Sequence, residues 1–160
     1  MERIVDAARF VRRLGVIARR DEVWAQYRAI AAQHGFTRVT ALKAPIGGAI
    51  SVVYSNVPPD VIAAFDGTYK PDEYPMMKHA LEEVEPISRA ELVARELTAE
   101  QRKALSFIDT SLAVTNGWTF PIASAGTRTG IVIVGGSAPD MSPVLRSMLH
   151  LLPHLSFHNR

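Results

Sequence analysis

Apolar residues recur every three or four positions across residues 21–34, where Val23, Trp24, Tyr27, Ile30 and Ala31 share one helical face and Gly35 supplies a stop. The same period runs through Leu105, Ile108, Leu112 and Ala113. Ahead of them stands Thr98-Ala-Glu-Gln101, a capping box in which threonine hydroxyl and glutamine side chain satisfy backbone donors reciprocally. A helix therefore opens there and ends before Gly117. A last helix is predicted from Ser142-Pro143, with serine as cap, proline at the first position, and Leu145, Met148, Leu149 and Leu152 on its apolar face. Four segments read as strands instead. Phe36–Lys43 and Ala49–Tyr54 flank the turn Pro45-Ile-Gly-Gly48. Trp118–Ala123 and Gly130–Val134 flank the turn Ser124–Thr129, and Pro121 marks an edge or a bulge.

Two hairpins make an antiparallel sheet. The strand Gly-Ile-Val-Ile-Val at 130–134 is apolar at every side chain, so both faces of the sheet are expected to be covered. The fold class that follows is α+β, an α-β-α sandwich around a central antiparallel sheet. The stretch NVPPDVIAAFDGTYKPDEYPM, residues 56–76, is unusual within it. Pro58-Pro59, Pro71 and Pro75 cut it into short pieces, yet the pieces carry Val57, Val61, Ile62, Phe65, Tyr69, Tyr74 and Met76. Pro59 suits the first turn of a helix running to about Phe65, and a second helix is expected from Met76 to Val84, ended by Pro86. So much apolar surface on pieces too short for a core helix is expected to wall a pocket against the sheet.

At 160 residues the chain suits one domain, 1–160, and needs no covalent staples. It has no cysteine, which removes disulfides and thiolate chemistry. A net charge of +2 does not indicate general nucleic-acid binding, and no apolar run approaches a membrane span. Six arginines among the first twenty residues, with Ile4, Val5, Ala8, Val11 and Leu14 at near-helical spacing, predict a surface helix over 2–13. Glu2, Asp6, Asp21 and Glu22 interrupt the basic run, and serine is absent, which argues against an organelle-targeting segment.

Enzyme signatures are missing: there is no G-x-S-x-G, no G-K-[ST] phosphate loop and no H-E-x-x-H. Gly135-Gly136-Ser137 reads as a turn. His150, His154 and His158 fall at i, i+4 and i+8, but Pro153 interrupts the helix and no carboxylate completes a ligand set, so solvated histidines and no metal are expected. Glu82, Glu83 and Glu85 read as a solvated helix end. The balance favours a binding domain without catalytic residues or cofactor.

The runs SNVPPDVIAAF, YPMMKHAL, EPISRAEL and NGWTFPIASAGTRTGIVIV, in this order and spacing, resemble the signal-binding domain of LuxR-type quorum-sensing regulators. That family shows a short helix after a proline, an Asp-Pro pair opening the next helix, a P-x-x-W element, and a G-x-T-x-P strand, here Gly117-x-Thr119-x-Pro121. The resemblance implies a PAS/GAF-like sandwich, a pocket for an acyl-homoserine lactone, dimerisation through this domain, and a cytoplasmic regulator. It also implies a DNA-reading helix-turn-helix elsewhere in the protein. None is visible within the chain, whose end falls where the family's linker begins.

The polar residues that hold the lactone in the family are a tyrosine, a tryptophan, an aspartate and a second tryptophan. The matching positions here are Val57, Val61, Tyr74 and Arg89. Two donors are replaced by valine, an ionised acceptor by a phenol, and an aromatic wall by a cation. The expected ligand-binding set is Val57, Val61, Phe65, Tyr74, Met76 and Arg89, with Trp118 and Tyr54 as further walls. An inward Arg89 favours a carboxylate-bearing ligand. The expected function is therefore a ligand sensor that couples a small signal, an acyl-homoserine lactone or a more apolar or acidic compound, to homodimerisation. DNA would be reached only through a module outside the chain, and no membrane is involved. The alternatives are a ligand-free domain that modulates a full-length relative by heterodimerisation, and an enzyme on a related scaffold using Tyr74 and Arg89.

Overall fold

The computed structural model describes residues 20–124, 126–137 and 141–158, without the side chains of Arg20, Ser124 and His158. The helix expected over 2–13 lies outside these residues. Strands β1 (Arg38–Lys43), β2 (Ser51–Ser55), β3 (Ile87–Ser88), β4 (Asn116–Ser124) and β5 (Thr127–Gly136) form one antiparallel sheet in the order β2-β1-β5-β4-β3. The two expected hairpins, β1–β2 and β4–β5, join through β1 and β5, which pair from Arg38↔Gly135 to Lys43↔Gly130. The two-residue β3 is an addition to the expected topology.

One face carries helices α1 (Arg20–Gln33), α6 (Pro143–Leu151) and α7 (Pro153–His158); the other carries α2 (Pro59–Asp66), α3 (Pro75–Glu82), α4 (Arg89–Val93) and α5 (Ala99–Leu112). Strand alternation divides the side chains between the faces. Val39, Ala41, Trp118, Phe120, Val132 and Val134 point to the first face and pack with Trp24, Tyr27 and Leu149. Tyr27 donates a 2.7 Å hydrogen bond to the Leu149 carbonyl, tying α1 to α6. Leu42, Ile131 and Ile133 point to the second face, towards Ala80, Met76 and Leu105. The sandwich is the one expected.

Caps form where the sequence placed them. Thr98 Oγ1 accepts from Gln101 N at 3.1 Å while Gln101 Oε1 accepts from Thr98 N at 2.9 Å. Ser142 caps α6 through Leu145 N, with Pro143 at the first helical position. Pro153 divides α6 from α7.

The C-terminal histidines are not simply solvated, as expected; they finish the sheet. β3 covers β4 only at Trp118 and Thr119. Beyond it, His150 Nε2 lies 2.9 Å from the Pro121 carbonyl and His154 Nε2 lies 3.1 Å from the Ala123 carbonyl. Pro121 thus sits where β4 has become a local edge, and no ladder N–H is lost. His158's side chain is outside the described residues. Among the described residues no group of three or more His, Asp or Glu could hold a metal ion, and no helix is long and apolar enough to cross a membrane.

Burial lowers the His150 pKa below that of a free imidazole. His154 adds to this, while the Pro121 carbonyl and Glu85 oppose it. A histidine with a depressed folded pKa binds fewer protons folded than unfolded. Its contribution is complete above the unfolded value of about 6.5 and is lost as pH falls below it. The urea midpoint should therefore fall between pH 7.5 and pH 5.5, and fall less in His150→Gln. An equal fall in both proteins would remove His150 as a source.

Candidate ligand-binding site

A cavity of about 270 Å³ lies between the sheet and the helices of the second face. The proline breaks explain how its roof is built. Pro59 opens α2 and Pro71 opens a single 3₁₀ turn, Pro71–Glu73. Pro75 opens α3 at its first residue. Each proline fixes φ and starts a turn; α2 ends at Asp66 with Gly67 as its cap, and the 3₁₀ turn stops at Glu73, short of Pro75. The pieces therefore arch over the sheet. Phe65 meets Tyr74 edge-on, ring centroids 5.5 Å apart, joining α2 to the end of the 3₁₀ turn. The entry to α2 is fixed from β1: Asn56 Oδ1 accepts from Val39 N at 2.8 Å, and Asn56 Nδ2 donates to the Thr37 carbonyl at 2.7 Å. That anchor sets Val57 at the cavity wall.

Of the residues expected to bind ligand, Val57, Val61, Phe65, Tyr74, Met76 and Arg89 line this cavity. Trp118 and Tyr54 do not, and the expectation for them is corrected. Trp118 follows the lining residue Gly117, so alternation turns it to the opposite face. There it stacks on Phe120 at 6.1 Å, with the Arg146 guanidinium 5.4 Å from the ring centre. Tyr54 is turned by a bulge. β1 pairs Ala41 with Tyr54 but Leu42 with Val52, so Val53 is the extra residue. Val52 stays on the cavity side while Tyr54 crosses to stack on Trp24, 6.1 Å away.

The floor is Thr40, Leu42 and Ile133 of the sheet, and α5 closes one side with Leu105, Ile108, Asp109 and Leu112. Ile50 and Val52 line the cavity and are themselves exposed, which marks the side on which it opens. Sequence reasoning missed α4 and with it the setting of Arg89. Ser88 caps that helix through Glu91 N at 3.1 Å, and Glu91 Oε1 accepts from Ser88 N at 3.4 Å. The Ser-x-x-Glu spacing of a capping box was there to be read. The box holds the first helical residue, Arg89, facing α5.

There Arg89 meets Asp109, the residue sequence reasoning did not name. Arg89 Nε donates to Asp109 Oδ2 at 2.8 Å, and Nη2 donates to the same oxygen. The side chains are only 26% and 15% exposed, so the pair is shielded but not dry. Its other two polar atoms, Arg89 Nη1 and Asp109 Oδ1, make no hydrogen bond with described residues. Burial raises the Tyr74 phenol well above its ordinary pKa; the Asp109 carboxylate adds to the shift and the Arg89 guanidinium opposes it. Tyr74 is thus a neutral hydroxyl at physiological pH, within the field of the pair. Tyr74, Arg89 and Asp109 form one polar group on the cavity, Arg38, Thr40 and Asp66 are its other polar lining residues, and the rest of the wall is mostly apolar. Asp109 already stands as the counter-charge of Arg89.

A sheet covered on both faces around a side-opening cavity leaves room for a small ligand. The fold matches the GAF domain of a two-component sensor histidine kinase from Bacillus halodurans with a TM-score of 0.55 at 15% identity, over 85% of this chain and 90% of that one. It matches CepR2, an N-acylhomoserine lactone-dependent LuxR family transcription factor from Burkholderia cenocepacia, with a TM-score of 0.77 at 12% identity, over 99% of this chain and 97% of that one. No curated protein matches the chain significantly in sequence. The autoinducer binding domain family matches residues 19–159, and the chain belongs to that family. The likeness to the LuxR family factor is one of fold.

Proposed function

We propose that the domain binds a small, largely apolar signal in the cavity beneath the proline-split segment and does no chemistry on it. The signal would act by ordering α2 and the 3₁₀ turn against the sheet and α5, and by shifting a dimerisation equilibrium of the regulator. The observation that carries this reading is the cavity itself: about 270 Å³, mostly apolar in its lining, with a few polar residues on it. The positions that hold a lactone in the resembling family are valine at 57 and 61, and both face this space. Leaving a buried ligand amide or carbonyl unpaired costs about 1–3 kcal/mol for each group. An unmodified homoserine lactone ring is therefore held weakly, and the acyl-type tail supplies most of the affinity. A cytoplasmic site of action accords with this reading.

Thermal unfolding with a chain-length series of N-acyl homoserine lactones, and with the matching primary amides that lack the ring, tests it. A compound at a hundredfold excess over its Kd should add about 2.7 kcal/mol of stability. The amides are expected to stabilise at least as well as the lactones of equal tail. Sedimentation of the same samples reads the dimer. Selective, tight capture of the lactones alone would overturn the loss of the ring's contacts. Absence of a shift with every compound would overturn the signal-binding role.

A further inference from the structure

The geometry points to Arg89, Asp109 and Tyr74 as a head-group selector for an uncharged ligand end that carries an acceptor and a donor side by side, of the primary-amide kind, and that excludes carboxylates and amines. This rests on the signal-binding reading above and specifies its chemistry. All three side chains line the same cavity. The guanidinium and carboxylate satisfy one another through a single carboxylate oxygen, so one donor nitrogen, Arg89 Nη1, and one acceptor oxygen, Asp109 Oδ1, remain unbonded by described residues. The Tyr74 hydroxyl, able to give or take a hydrogen bond, likewise has no partner among them.

These three polar groups on a mostly apolar lining, which also carries Arg38, Thr40 and Asp66, state what the cavity can take. An amide carbonyl can accept from Arg89 Nη1 while its N–H donates to Asp109 Oδ1, with Tyr74 completing either. An acid meets Arg89 only beside the Asp109 charge, or by displacing Asp109 and leaving it unpaired. An ammonium meets the mirror-image problem at Arg89. Both charged ligands also lose their hydration on entering, whereas an uncharged amide leaves the pair intact.

The 160-residue chain should be titrated calorimetrically with octanamide, octanoate, octylammonium and N-octanoyl homoserine lactone. Octanamide should bind at least about tenfold more tightly than either ion. In Asp109→Asn the guanidinium loses its counter-charge, and octanoate should overtake octanamide, a reversal that a merely structural role for the pair would not produce. Should that variant fail to fold, the apolar pair Arg89→Met with Asp109→Leu removes both charges together. It should lose at least about tenfold in octanamide affinity. Octanoate or octylammonium binding the unaltered chain as tightly as octanamide would overturn the selector while leaving the signal-binding role standing. Unchanged preference in folded Asp109→Asn would overturn it too, as would unchanged octanamide affinity in the folded double variant. Binding of none of the four compounds would overturn the signal-binding role and the selector with it.

Discussion

Gly136→Ala is expected to lower the stability of the domain by about 3 kcal/mol or more, beyond the usual range for an overpacked core side chain. Gly136 ends β5, opposite Asn116 of β4, and the turn that closes α1 crosses directly over it. A Cβ there would stand 1.9 Å from the Gly35 carbonyl oxygen and 3.0 Å from both the Gly35 carbonyl carbon and the Phe36 Cα. All three are backbone atoms, so no side-chain rotation relieves the contact. The turn would have to move, and with it the packing of Phe36 and Ala31, both fully buried in the core of the first face. For urea slopes of roughly 1–3 kcal/mol per molar, the midpoint should fall by about 1 M or more. Gly126→Ala is the control. Its Cβ meets nothing within 4 Å, and only the positive φ of 77° opposes it, a strain of roughly 1–2 kcal/mol. A smaller loss at 136 than at 126 would show that the turn over β5 yields readily.

The fold was readable to the extent that local signals decide it. Thr98-x-x-Gln101, Ser142-Pro143, the glycine-bearing turns and the prolines at 59 and 75 each act within a few residues of themselves, and each sets an element boundary. The two-residue β3 has no period to detect and exists only because β4 offers Trp118 and Thr119 as partners. Trp118 could have been placed correctly, because Trp118, Phe120 and Ile122 alternate with Gly117, Thr119 and Pro121, and the bulky set belongs to the packed face. Tyr54 could not: its side depends on where an extra residue enters the β1–β2 ladder, which only the pairing with Ala41 reveals. Asp109 is a different failure. It sits one position off the apolar stripe of α5, next to Ile108, where a carboxylate ordinarily reads as solvated. Its partner lies 20 residues earlier on another helix. Pairing across elements leaves no spacing signature, so this polar group on the cavity became visible only with the fold.

Val57→Phe combined with Val61→Phe should weaken small-molecule binding by about a hundredfold while leaving the domain folded. Both valines face the cavity and neither is fully buried, so each added ring enters empty space instead of packed core. Phe65 already presents a ring on the same wall, in edge contact with Tyr74, and the new rings can extend that cluster. Filling a cavity in this way commonly leaves stability unchanged or raises it by about 0.5–2 kcal/mol. A ligand must instead overlap the new side chains or lose its apolar contacts. At about 1–3 kcal/mol for an overpacked site, each ring weakens binding by roughly tenfold or more. Titration with whichever of the eight-carbon compounds binds the unaltered chain most tightly should show a loss of about a hundredfold, with the melting temperature held or increased. If the double variant melts normally and binds with unaltered affinity, the ligand occupies some other surface, and the roof built by the prolines has a purely structural role.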